Sequence, residues 1–278
     1  MRYPLLSLVA ITLLVPAAAS AQIERRLERS FSAEAGSVVT VEMSGAPITV
    51  NTGGSDNVQL TLRQVIAVDS DSEADRLLED YEIVAGQQAG AISFIARRKT
   101  EGGENYRRGN SRVRFEATLT VPANIRLDLN TSGGSIAVHG ERTAAVDADT
   151  SGGSITVDGG RGDMHLDTSG GTIRVARAYG VLHADTSGGS IAVEYLGPDV
   201  TDVSLDTSGG SIRVGVDAAA KLDVRAGTSG GGVDIDGLPF QAQSVGRSRA
   251  SGTLNGGGGQ LRANTSGGSI EIRAASGR

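Results

Sequence analysis

The sequence predicts an all-β protein: a β-solenoid (a single-stranded β-helix or roll) of roughly 18–21-residue coils, with one short helix inserted in its N-terminal part. Three observations carry that prediction. First, Thr-Ser-Gly-Gly recurs with its threonine at Thr131, Thr150, Thr168, Thr186, Thr207, Thr228 and Thr265, at spacings of 19, 18, 18, 21, 21 and 37 residues. A steady period of this length marks a repeat architecture. The widest gap is about two periods, with a degenerate copy expected at Gly256–Gly259. Second, apolar residues alternate on both sides of each copy, as in Met164, Leu166 before and Ile173, Val175 after. Period-two alternation with β-branched residues means strands. Third, with 40 Gly, 3% aromatic residues and no Cys, the core must be Val, Ile, Leu and Ala, held without disulfides.

Each unit therefore reads as strand, Ser-Gly-Gly turn, strand and variable corner. A hairpin with Gly-Gly at its tip would give the same local pattern. Stacked coils fit better, because near-identical units let Ile sit on Ile and Ser on Ser, each coil pairing in parallel with the next. The apolar side chains of one coil cannot offset the entropy of ordering its backbone, so stability must come from neighbours. Glycine is expected in the turn for its unusual φ, with Asp or Ser bonding local backbone.

Residues 1–21 read as a signal peptide: Arg2, an apolar Leu5–Pro16, and Ala19-Ser20-Ala21 as a cleavage site between Ala21 and Gln22. The apolar stretch is too short to span a bilayer, and no later segment is a transmembrane candidate. Residues 22–125 read as irregular coils. Val39, Val41, Met43, then Ile48 and Val50, then Val58, Leu60, Leu62, form weaker copies of the pattern. Asp71–Tyr81 breaks the rhythm and predicts a helix started by Ser72 and Asp75, with Leu77, Leu78 and Tyr81 on one face. Ala91–Ala96 and Val113–Val121 return to strand around a polar, Gly-rich, mobile loop at Thr100–Ser111. Residues 126–278 are the regular repeat solenoid, and the N-terminal part is expected to cover one open end.

Out of context, "DTSGG" resembles a protease nucleophile loop. Repetition argues against this, since an active site needs one constellation rather than seven copies. The only histidines are His139, His165 and His183, so most copies have no base. The register exposes two outward columns instead: Asn130, Asp149, Asp167, Asp185, Asp206, and Asp128, Asp147, His165, His183, Ser204. Stacked like charges need water, turn hydrogen bonds or a cation to offset them. His165, His183, Asp167 and Asp185 are the candidate ligands for a divalent transition metal; the plain reading is a solvated polar face. Arg161-Gly162-Asp163, an integrin-type tripeptide, falls in a predicted corner. Gly256–Gly259 lacks the Lys-Ser/Thr of a phosphate loop.

Without Arg2 the charge is about −7 and shows no basic stripe, so neither nucleic acid nor anionic membrane is an expected partner. With no Trp, a carbohydrate-active enzyme would lack its usual aromatic platform. The "FSAEAGSVVTVEMSGAPITV" opening, the helical insertion, the "DTSGGSI" units and the terminal "LNGGGGQLRANTSGGSIEI" resemble the bacterial "putative adhesin" family of exported β-solenoid domains of unknown function, the toastrack repeats. The repetition of every polar column, with no unique polar cluster, predicts a non-enzymatic protein with no cofactor, and the resemblance supplies no catalytic residue to carry over. By that resemblance the protein would act in the periplasm or at the cell surface on an envelope or surface ligand, protein or glycan, in adhesion, assembly or, as an alternative, stress sensing through a protein partner.

Overall fold

A computed structural model describes residues 22–34, 36–99 and 112–275. The signal segment with Ala21, and the loop at 100–111, lie outside the described residues; Gln22 is exposed.

The chain begins with β1 (Ile23–Ser32), followed by the first coil, β2 (Val38–Met43) and β3 (Ile48–Gly53). After β4 (Asn57–Ile66), α1 (Asp71–Leu78) and β5 (Tyr81–Gln88), the second coil is β6 (Ala91–Arg98) and β7 (Val113–Pro122). Five regular coils follow: β8 (Arg126–Thr131) and β9 (Ile136–His139); β10 (Val146–Thr150) and β11 (Ile155–Gly160); β12 (Met164–Thr168) and β13 (Ile173–Ala178); β14 (Leu182–Thr186) and β15 (Ile191–Leu196); β16 (Asp202–Thr207) and β17 (Ile212–Val216). Then come β18 (Leu222–Thr228) and β19 (Val233–Asp236), β20 (Phe240–Val245) and β21 (Arg249–Leu254), and a last coil, β22 (Gly259–Thr265) and β23 (Ile270–Ala274).

The first strand of every coil joins one sheet and the second joins another, and neighbouring coils pair in parallel, so the predicted solenoid is present. The core lies between the sheets. Ile136, Ile155, Ile173, Ile191, Ile212 and Ile270 form one buried ladder, each on its register partner.

Stacking departs from chain order at both ends. The spatial sequence of the long sheet is β20-β21-β18-β22-β16-β14-β12-β10-β8-β2-β6-β5. The first coil sits inside the second, and the last coil sits inside β18–β19. The outermost coils carry antiparallel strands: β5 on β6, β4 and then β1 on β7, and β21 and then β20 on β18. The 37-residue gap therefore holds this terminal hairpin, and Gly256–Gly259 is a connection into β22 rather than a degenerate coil.

The turn chemistry also differs from expectation. No glycine of a Thr-Ser-Gly-Gly copy has positive φ. The second glycine is required by close approach: a Cβ on Gly153, Gly171, Gly189 or Gly210 would lie 1.8–2.0 Å from a carbonyl oxygen of the neighbouring coil. The turn is closed by threonine rather than by Asp. Thr168 Oγ1 donates to Gly153 O at 2.8 Å in the adjacent coil and accepts from Gly171 N–H in its own. The pair recurs at Thr150, Thr186, Thr207, Thr228 and Thr265. The serine ladder runs from backbone to side chain: Thr172 N–H donates to Ser154 Oγ, and Ser211 N–H to Ser190 Oγ.

The helix starts earlier than predicted. Ser70, extended at φ −141°, is its N-cap and accepts Glu73 N–H, and Tyr81 opens β5 rather than closing the helix. Arg142, 2% exposed, donates to the carbonyls of Pro122 and Ile125, tying a corner together, and burial pushes its guanidinium down to about 10.

Candidate functional site

The outer face of the long sheet carries the chain's organised polar chemistry. Alternation forces it: with Thr and the residues two and four before it turned inward, the residues between point to solvent. Both outward columns exist in register. Asn130, Asp149, Asp167, Asp185 and Asp206 are consecutive partners, as are Asp128, Asp147, His165, His183 and Ser204. The structure extends the first from Glu42 on β2 to Asn264 on β22, and the second from Thr40 to Arg262 and then Arg225. The arginines could not be placed from sequence, because that required knowing that β22 enters between β16 and β18.

Carboxylates are compensated unevenly along the face. At one end, the Asn130 amide donates to Asp128 at 2.7 Å, and Arg126 donates to Asp147 Oδ2 at 2.7 Å. At the other, Ser204 Oγ and Asn264 Nδ2 donate to the two oxygens of Asp206. Between them, Asp149, Asp167 and Asp185 have no hydrogen-bond or ion-pair partner among the described residues. Partial burial, then the carboxylates of Asp185 and Asp149, push Asp167 above the usual carboxylate range, against the pull of His165 and His183. Asp185 is raised by partial burial and then by Asp206.

The four metal candidates lie on two adjacent coils, His165 on His183 and Asp167 on Asp185. The imidazoles meet edge to face, with ring centres 5.0 Å apart, and each turns to a different carboxylate: His165 Nδ1 to Asp147 at 3.3 Å, His183 Nε2 to Asp202 at 3.5 Å. Among the described residues no three His, Asp or Glu side chains converge as a metal site. His183, Asp167 and Asp185 do share a shallow depression of about 230 Å³ with Asp202 and Arg262.

A larger groove, about 750 Å³, opens where the acidic column meets the terminal hairpin. Asp185, Asp206 and Asn264 line one side and Arg225, Arg249 and Ser251 the other. Neither Arg225 nor Arg249 has an ion-pair partner among the described residues. The groove thus sets acceptors for hydroxyl or ammonium groups opposite forked donors for a carboxylate. No hydrogen bond joins a repeat serine hydroxyl to a histidine among the described residues. The Arg-Gly-Asp tripeptide is built into its corner: Arg161 lies 5.0 Å over the Tyr179 ring, and Asp163 Oδ1 accepts Val181 N–H.

The fold and this face define a parallel β-solenoid, capped by antiparallel strands, with a repetitive polar surface. The chain belongs to the Toastrack DUF4097 family, whose model matches residues 106–273. It is similar in structure to a protein described as a putative adhesin from Bacteroides fragilis, at 10% identity over 89% of this chain and 97% of that one, with a TM-score of 0.46. It is also similar to a putative cell adhesion protein from Clostridium sporogenes, at 9% identity over 91% and 100%, with a TM-score of 0.37. A third likeness is to a putative lipid binding protein from Parabacteroides distasonis, at 10% identity over 89% and 96%, with a TM-score of 0.33. No curated protein matches the chain. No helix among the described residues is long and apolar enough to cross a membrane.

Proposed function

We propose that this protein is a non-enzymatic, exported β-solenoid that binds an envelope or surface ligand, protein or glycan, through the outer face of its long sheet, in adhesion or envelope assembly. The observation that carries this is the repetition itself. The same carboxylate returns on four consecutive coils, three copies without a hydrogen-bond or ion-pair partner among the described residues, and the column ends in a groove with two arginines that carry no ion pair among those residues. Catalysis concentrates unlike groups at one point; this face repeats like groups along a line, the arrangement that suits an extended or repetitive ligand. The test is retention of the purified mature chain on isolated cell envelopes. Replacing Asp149, Asp167 and Asp185 together by Asn is expected to cut retention about tenfold, with Arg225→Ala/Arg249→Ala acting in the same direction. Retention unchanged in both variants would remove the face from the function. Protease shaving of intact cells then separates the two locations: degradation without lysis means the surface, protection means the periplasm.

A further inference from the structure

The last coil occupies a slot it does not reach by following its predecessor. β22 lies between β16 and β18, and β23 between β17 and β19, although residues 222–254 were laid down first. Its connection into the slot is Asn255–Gly258, four consecutive residues of positive φ. Asn255 holds this turn by donating its amide to the carbonyls of Ala218 and Ala220, at 2.9 and 2.8 Å, and a Cβ on Gly256 would meet nothing within 4 Å among the described residues.

The bonds that seat the coil are those of every coil. Thr265 Oγ1 donates to Gly210 O, Ser269 N–H to Ser211 Oγ, and Thr228 Oγ1 to Gly268 O, while Leu261, Ala263, Ile270 and Ile272 extend the common ladders. The slot therefore recognises a repeat unit and not the molecule that supplies it. We propose that residues 259–274 exchange between two copies of this chain, each inserting its last coil into the slot of the other to give a closed dimer. The occupant is a second copy because the slot is complementary to this repeat on both walls, and the copy carries the same coil on the same glycine hinge. Closed and exchanged forms share all coil contacts; they differ at the hinge and in the cost of association, so concentration and hinge chemistry decide between them.

The chain has no cysteine, which makes the test direct. Asp206 and Asn264 are outward-facing register partners across the slot wall. Mature chains carrying Asp206→Cys and Asn264→Cys separately are mixed, refolded together, and treated with a short bis-maleimide. Exchange gives a covalent heterodimer in excess of both homodimers, increasing with protein concentration. The double variant on one chain shows that the linker spans the pair. Cross-linking within that chain, with none between the mixed single variants at any concentration, overturns the proposal. Asn255→Ala, which strains the closed turn and removes its two hydrogen bonds, is expected to raise the dimeric fraction severalfold by light scattering; an unchanged fraction counts against the hinge.

Discussion

At Gly171 the missing Cβ would lie 1.9 Å from the carbonyl oxygen of Gly153, whereas at Gly170 the nearest atom would be 3.5 Å away. The two glycines of one turn therefore have different duties. Gly171→Ala forces adjacent backbones apart and is expected to cost at least ~2 kcal/mol more than Gly170→Ala in chemical denaturation. Equal costs would mean that conformational freedom, not approach, selects the second glycine. Asp167 sets a second test. Its folded carboxyl holds a proton to higher pH than in the unfolded chain, so its charge destabilises the fold above the raised range. That penalty disappears as pH falls through the raised range toward the ordinary one. Asp167→Asn should accordingly raise the melting temperature at pH 7 by ~1–3 °C, as removal of a like-charged cross-strand neighbour does, and the gain should vanish in acid. A loss of stability at pH 7 would show that the carboxylate makes a bond absent from this structure.

Among elements, the coils were legible and their caps were not. Period-two alternation with a fixed Thr-Ser-Gly-Gly marks β8 to β19 because each coil must repeat the core and turn bonds of its neighbour. β1, β4, β5, β20 and β21 pair antiparallel outside that rule, so Val58, Leu60 and Leu62, which alternate like a weak coil copy, belong to a capping strand rather than to a coil. In β1, Ile23, Leu27 and Phe31 recur every four residues and alternate with no apolar partner, so no strand period shows. The acidic and histidine columns were likewise legible from register, but Arg262 and Arg225 at their end were not. Every coil presents the same recognition groups, so sequence says that coils stack without saying on which neighbour. The same redundancy makes a coil removable. Gly160 and Ala178 are register partners, so deleting residues 161–178 and joining Gly160 to Tyr179 preserves both sheets. The shortened chain should keep its far-ultraviolet β spectrum and a single unfolding transition with a smaller denaturant slope, since less surface is buried. Loss of cooperative folding would show that Arg161–Ala178 contributes something specific to its position.

On the scale of the molecule, the nine stacked coils among the described residues, about 4.8 Å apart, make a rod roughly 40 Å long, plus its capping strands. The ends are defended differently. β1 carries Arg25, Arg26 and Arg29 with Glu24 and Glu28, charges that discourage pairing of that edge with another sheet. β20, with Gln241, Gln243 and Ser244, has no charge and is instead irregular where its pairing with β21 shifts between Ala242 and Ser244. The placement of β22–β23 one layer in from the end also has a mechanical consequence. A solenoid stacked in chain order, pulled along its chain, sheds its outermost coil by breaking one interface at a time. Here tension entering at the last coil bears on a layer gripped from both sides, so two parallel ladders must shear together before anything lengthens. A pull on that coil is therefore resisted by two interfaces rather than one.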